Sequence, residues 1–424
     1  MEFVTYNKKL EIAGDYDVIV CGAGPSGVCA AITSARNGKK TLLIENAGCL
    51  GGYWTAGLMG VTLDMNGKGG LAREIYNRLS SMNSAKFVGD SNYIYDPEIL
   101  KALLEDLCAE AGVETVFYTR VIDAVCSSGK ISSVVTASSA GCRAYTAKVF
   151  LDCTGNGELA AYAGCSYEAG HPDTGQLQPA SLHALVTGVP DSFEFILGNS
   201  KHKKMLRELL RSVGVDPSYQ APLLYKLCHG DLWSFAITHQ YNVGYDSPED
   251  MTRAIFSARK EINRAVSALR TIPGWEKLRI AATAEQLGLR EGRRIKGLYK
   301  ITSDDLIQGK KHEDAVCLVK YPVDIHALNA SSDKAASNAN IQVKPYHIPY
   351  RSLVSAELSN LGMGGRCISG DFYAHASYRV IGNAAATGEA IGYGAAIAAG
   401  ENKPLSAVDG KIVAEYMKKM NHEL

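Results

Sequence analysis

Three glycines constrain this chain most: Gly22, Gly24 and Gly27 stand as GxGxxG between the apolar run YDVIVC (16–21) and the stretch SGVCAAITSARNG (26–38). A short apolar run stopped by glycine reads as a strand buried on both faces. The stretch after it has small and apolar residues at helical spacing and a glycine at its end, which is the pattern of a C-capped helix. KKTLLIE (39–45) supplies the next strand, so the segment is a βαβ unit, right-handed with parallel strands. Its turn suits a dinucleotide: Gly22 permits the tight bend, Gly24 lets backbone approach a pyrophosphate, and Gly27 allows close packing of helix on strand. The helix start offers free N–H groups and positive dipole to phosphate. Glu45, at the end of the second strand, is placed to accept hydrogen bonds from ribose hydroxyls, and an acid there favours FAD or NAD over NADP. Gly22, Gly24, Pro25, Ser26, Gly27, Glu45 and the adjacent Asn46 are therefore the expected nucleotide contacts.

At 424 residues the chain is long enough for two domains. Its 44 basic residues balance 44 acidic ones, which leaves no electrostatic footprint for a nucleic-acid backbone or an anionic membrane. Eleven cysteines with no CxxC pair fit reduced thiols in the cytoplasm. No His and Cys spacing resembles a metal site. The charged N-terminal residues do not form a signal sequence, and no run is long enough to span a bilayer. The apolar stretch NAAATGEAIGYGAAIAA (383–399) carries Glu389 and reads as a buried helix.

Residues 97–112 read as an amphipathic helix, and VETVFYTRVIDAVCS, KISSVVTAS and RAYTAKVFLDCTG follow as an antiparallel meander. The character changes near residue 167, with long helical stretches such as SPEDMTRAIFSARKEINRAVSALR and a polar segment at 329–340. From residue 346 the strand, glycine and small-residue helix pattern returns. The expected architecture is α/β: a Rossmann-like cofactor domain (1–166 and 346–424) of parallel sheet plus meander, interrupted by an α+β substrate domain (167–345).

The double glycine in ENAGCLGGYWTAG, Gly51 and Gly52, resembles the FAD-dependent oxidoreductases of the glutathione-reductase-like flavoprotein superfamily, where such a pair lines the FAD site. LDCTGNGELAAYAG is similar to the strand and turn that set Thr154 and Gly155 against the cofactor. YPVDIH (321–326), LREGRRIKGLYKIT (289–302) and IPYRSLVS with GGRCISGDFYAHASYRV (348–380) resemble the FAD-dependent oxidoreductases related to fumarate reductase-type flavoproteins. Asn156 departs from the acidic residue expected at its place. The resemblance implies noncovalent FAD, contacts from the backbone of Val121 to adenine and from Asp371 to the phosphate or ribityl chain, and a helix starting at Val380 and Ile381 that meets the flavin pyrimidine edge through backbone.

A bound flavin supplies the redox chemistry, so the protein must orient a substrate and move protons. His375 and Arg379 lie just before the proposed flavin helix. His375 is either a proton donor and acceptor or a neutral histidine bracing the loop, and Arg379 either binds a substrate carboxylate or pairs with a structural acid. Asp324 and His326 form an acid and imidazole pair, for function or, through strand alternation, for structure, and Arg293 with Arg290 and Arg294 forms either an anion site or a solvated, ion-paired structural face. Gln178 and Arg351 resemble substrate-side positions. Cys49 lacks a redox partner, and Cys367 reads as a small buried thiol. The expected activity is hydride transfer between FAD and a small polar, carboxylate-bearing molecule. Two other readings stay open: a flavin-dependent RNA-modifying enzyme, and an FAD-binding sensor without catalysis. The sequence leaves the oligomeric state open.

Overall fold

The fold is that of a computed structural model, which describes residues 4, 7–330 and 335–424. Strand β1 (Ile12–Cys21) has no accessible surface on Val18, Ile19, Val20 or Cys21, as an apolar run between two helical layers requires. Helix α1 (Pro25–Arg36) begins with proline at a position whose N–H would have no partner in any case. Strand β2 (Thr41–Ile44) then lies parallel to β1, Val18 opposite Thr41 and Cys21 opposite Ile44.

Helices α2 (Gly70–Ser81) and α3 (Pro97–Ala111) precede β3 (Glu114–Val116), which pairs parallel with β2. Strands β4 (Arg120–Ser127), β5 (Lys130–Ser138) and β6 (Gly141–Asp152) form an antiparallel ribbon. Here the expectation of one continuous first meander strand is corrected. The chain bends at Tyr118, whose φ is +50°, so 114–116 close the edge of the parallel sheet and only the residues from Arg120 enter the ribbon. β6 serves both, because its other edge runs parallel to β1 from Ile12 opposite Ala144 to Cys21 opposite Asp152.

A second, antiparallel sheet is built from β7 (Ala184–Thr187), β8 (Leu223–Lys226), β9 (Trp233–Ala236) and β10 (Arg279–Thr283), in the order β8-β9-β7-β10. Helices α4 (Ser200–Ser212) and α5 (Pro248–Leu269) bury their apolar stripes against it. In α5 the stripe is Ala254, Ala258, Ile262, Ala265 and Leu269, and Ser247 caps the helix by accepting from the Asp250 amide.

This second core includes Leu182, Phe235, Ile262 and Leu287, whereas Ile295, Ile301, Val316, Val319 and Val323 pack into the first. The chain therefore crosses between cores near residue 290, and the crossing segment carries the arginine cluster. Within the polar segment at 329–340, residues 331–334 lie outside the described residues, and Ala336–Ser337 pairs with Ile325–His326.

Strand β11 (Leu361–Met363) joins the first sheet parallel to the end of β6, and α6 (Phe372–Tyr378) leads into α7 (Ile381–Glu401). α7 is the buried helix expected from composition. Glu389 is tolerated in it because the carboxylate accepts from the Leu71 amide at 3.0 Å, near the N-terminus of α2, and meets His422 Nε2 at 3.1 Å. The fold is mixed α/β, with a Rossmann-like domain of parallel strands and antiparallel ribbon. Among the described residues no helix is long and apolar enough to cross a membrane.

Candidate active site

In an open α/β sheet, ligands bind where loops leave the carboxyl ends of parallel strands. β1, β2, β6 and β11 end together here, so the turns after Cys21, Ile44, Asp152 and Met363 converge. Hydrogen bonds tie them: Gly22 N to Ile44 O (2.8 Å), Cys153 N to Cys21 O (2.8 Å), Gly364 N to Asp152 O (3.0 Å) and Gly51 N to Ala23 O (2.8 Å). Gly22 has φ +90°, and a Cβ there would lie 2.7 Å from the Cys153 carbonyl oxygen, so only glycine suits that position. Buried Asp152 fixes the third turn by accepting from Thr154 N (3.0 Å), Thr154 Oγ1 (2.8 Å) and Ala160 N (2.9 Å). Gly155 follows with φ +76°.

These residues fit FAD on three observations. A Cβ on Gly24 would meet nothing within 4 Å, so the backbone there faces open space. The N-termini of α1 and α7 have no side-chain cap, and their first residues are Pro25 and Ile381, after Gly24 and Val380, which leaves orphan N–H groups for an anion or a carbonyl. Glu45 accepts from Ala23 N (2.7 Å) and Ala47 N (2.8 Å), and each oxygen keeps a second lone pair for a ribose hydroxyl. Asn46 is exposed beside it, Ser26 is buried with Oγ 3.2 Å from Cys153 Sγ, and Gly51 and Gly52 take positive φ against Gly24. Val121 is buried in β4 opposite Thr136. Asp371 caps α6, accepting from Ala374 N and Ser303 N at 2.7 Å each.

Arg366, which sequence reasoning quoted without singling out, lies at the meeting of these turns. It donates to Leu289 O (2.7 Å) and Asn156 Oδ1 (3.2 Å), and it has no carboxylate partner among the described residues. A Cβ on Gly155 would come within 2.6 Å of its Nη2. Asn156, the departure noted in the sequence, is the reason: an acid there would neutralise Arg366, and the amide does not.

Beyond Arg366, between the two cores, the polar side chains form one network centred on buried Gln178. Its Oε1 accepts from His326 N (2.9 Å) and Arg379 Nη2 (3.3 Å), and its Nε2 donates to Glu291 Oε1 (2.8 Å). Arg379 also donates to Asp324 O (2.7 Å) and lies 3.6 Å from its carboxylate. Asp324 Oδ2 is 3.2 Å from His326 Nε2, His326 Nδ1 is 2.9 Å from His239 Nε2, and His239 Nδ1 is 3.5 Å from Tyr241 Oη. Burial alone would raise the Asp324 carboxyl, but His326, Arg379 and Arg290 outweigh it and hold it well below the usual range. With Asp324 ionised, His326 Nε2 carries the hydrogen and Nδ1 accepts from His239. Burial, then Arg290, pushes His326 down to about 4, so it is neutral at pH 7.

The remaining candidates separate. His375 is 1% exposed, its Nδ1 has no hydrogen-bond partner and lies 4.0 Å from Glu291 Oε2. Burial, then Arg294, drives it well below its ordinary value. Arg293 stands apart from this network and donates to Asn156 O at 3.3 Å. Its guanidinium lies over the rings of Tyr167 and Tyr245, at 5.2 and 4.7 Å, and pairs with Asp246 at 3.3 Å. Arg294 pairs with Glu291 at 3.3 Å, and Arg351 is engaged by Asp314 at 2.9 Å. Cys49 is 3.8 Å from Thr55 Oγ1, and Cys367 is fully buried.

Tyr53, Lys203, Tyr219, His239 and Glu291 carry no signal of their own in the sequence. Tyr53 follows the double glycine, and burial raises its hydroxyl to about 12 while Arg290, Arg366 and Arg379 stand within electrostatic reach. Tyr219 packs on His239 at 4.3 Å. Lys203 and His239 lie outside any motif, and Glu291 lies unremarked within LREGRRIKGLYKIT.

Residues 17–420 match the profile of a family described as FAD dependent oxidoreductase. A 119-residue stretch is 30% identical to thiamine thiazole synthase of Thermococcus kodakarensis, covering 28% of this chain and 46% of that one. Forty-seven residues are 47% identical to mitochondrial dihydrolipoyl dehydrogenase of Schizosaccharomyces pombe, 11% of this chain and 9% of that protein. The chain thus spans under half the length of these curated relatives. Among solved structures, p-nitrophenol 4-monooxygenase of Pseudomonas putida superposes with a TM-score of 0.51 at 10% identity, over 96% of this chain and 88% of that one.

Proposed function

The chain belongs to the FAD dependent oxidoreductase family, and from that premise we propose that it moves hydride equivalents between FAD and a small polar organic molecule bound in the hollow between the two cores. It is an FAD enzyme, and its kin on this reading are the glutathione-reductase-like and fumarate reductase-type flavoproteins. The double glycine and the Thr154–Gly155 turn support that kinship. A cytoplasmic setting belongs to the same reading, because eleven cysteines without a CxxC pair suit a reducing compartment.

One observation carries the reading: Gln178 gathers Arg379, His326 and Glu291 beside the uncapped start of α7. When bound, FAD supplies the hydride donor or acceptor. Arg379 orients a polar group of the substrate. Asp324, 29% exposed, accepts a substrate O–H or N–H, and His326, with both ring nitrogens engaged, holds that carboxylate in place. His239 and Tyr241 continue the chain of hydrogen bonds away from the hollow with every donor pointing towards Asp324, the orientation that hands a proton inward when the substrate takes up hydride. His375, walled behind Glu291, is a positioning residue.

The test is anaerobic: purified protein is loaded with FAD, and small organic acids, alcohols and amines are screened for bleaching of the flavin colour. A bleaching substrate whose turnover falls with Arg379→Lys and His326→Gln is expected. If neither change alters turnover, both leave the catalytic set. His375→Asn should change turnover without moving the pH profile, and a moved profile would make His375 a proton carrier.

A further inference from the structure

Arg290 is placed differently from its neighbours in the arginine cluster. It donates to two neutral acceptors, Pro179 O at 2.6 Å and Ser181 Oγ at 3.0 Å, and among the described residues it forms no ion pair. It is nevertheless enclosed by protein: burial, then Arg379, holds its guanidinium below the ordinary value. It also retains accessible surface, as do Arg379, Tyr53 and Tyr219. These part-buried groups are the lining of the hollow proposed above. A second cation, Lys203 of α4, is half-buried, its side chain has no hydrogen bond or ion pair among the described residues, and it stands within electrostatic reach of Asp324.

The anions available do not balance these charges. Glu291 is taken by Arg294 and Gln178, and Asp324 by His326 and Arg379. Enclosing a cation without a counter-ion is costly, and such groups are paired in folded proteins. The free edge of a planar guanidinium matches a carboxylate with two parallel hydrogen bonds.

We propose that the hollow takes an organic anion whose carboxylate docks on Arg290, with Lys203 closing over it from α4 and the rings of Tyr53 and Tyr219 against its carbon skeleton. This rests on the flavoenzyme reading above and names the substrate class of that site. It also moves the anion anchor from Arg293 to Arg290.

Benzoate, fumarate and benzamide are the probes, titrated by calorimetry into FAD-loaded protein while the flavin absorption band is followed. At least one carboxylate is expected to bind and perturb the band, and neutral benzamide to bind at least about tenfold more weakly than benzoate. Arg290→Met should cost at least about tenfold in carboxylate affinity, Arg290→Lys less, and Lys203→Met about threefold, with FAD content unchanged. Inorganic phosphate should not displace the carboxylate. Equal binding of benzamide, indifference of Arg290→Met protein that still holds FAD, displacement by phosphate at equal affinity, or failure of both carboxylates to bind would each overturn the proposal. Protein that cannot be loaded with FAD would instead sink the cofactor reading on which it rests.

Discussion

Gly24 and Gly27 are three residues apart in one turn, yet they are glycine for different reasons. A methyl on Gly27 would run into the carbonyl oxygen of Gly22, which is backbone fixed by the parallel sheet and cannot give way. A methyl on Gly24 meets nothing, and φ of −66° suits any residue; what it would meet is the pyrophosphate. Gly24→Ala should therefore fold with an unchanged melting temperature when free of cofactor and retain little FAD. Gly27→Ala should lose about 1–3 kcal/mol of stability. Absorbance of the flavin per mole of protein and thermal melts of both variants decide it, and full flavin content in Gly24→Ala would refute the assignment of that open space. The network around Gln178 gives a second expectation at this scale. His326→Gln removes the imidazole between Asp324 and His239, and turnover should fall about 100-fold with flavin content intact.

Helix α7 shows how much an element conceals in its sequence. Its composition marks it as buried even though it carries Glu389, and that follows from residue types alone. Its partner does not. Gly388 and Gly392 meet the backbone of Ser26 and Ala30 on α1, and that approach depends on the chain having crossed between two cores in the meantime. Gly392→Ala should press the helices apart and lower the denaturant midpoint by the equivalent of about 1–3 kcal/mol, with the slope of unfolding unchanged. A midpoint equal to wild type would mean that the contact yields easily. Similar reasoning divides the site. The turn proposed to hold the nucleotide was legible, because Gly22, Gly24, Gly27 and Glu45 shape one local turn at fixed spacing. The other half of the site was legible only as fragments, since Gln178, Glu291, Asp324 and Arg379 come from four separate stretches. Spacing could not tell the arginines of one cluster apart: Arg293 lies over the rings of Tyr167 and Tyr245, whereas Arg290 donates to Pro179 O and Ser181 Oγ.

At the scale of the molecule, the buried histidines set the response to acid. His183, His326 and His347 are pushed down to about 4, by burial first and then by Arg290 for the first two and Lys311 for the third. His239 and His375 lie lower still, through burial with Arg290 and Arg294 respectively. All five are neutral in the folded protein at pH 7, whereas the unfolded chain binds protons below about 6.5. The unfolded state therefore carries more protons as the pH falls from about 6.5 towards 4, and the stability these groups contribute is full above that window and lost within it. Each adds a slope of up to about 1.4 kcal/mol per pH unit. The smaller upward shifts of Asp152, Glu158, Glu261 and Glu291, which burial causes first, work in the opposite sense. The histidines outweigh them in number and in size of shift. Thermal melts should accordingly be flat above about pH 7 and fall by roughly several degrees per unit below about pH 6. His183→Gln should soften the fall, because one group that must bind a proton on unfolding is gone. A melting temperature that stays level down to about pH 5 would show that these imidazoles are protonated in place and that water reaches them.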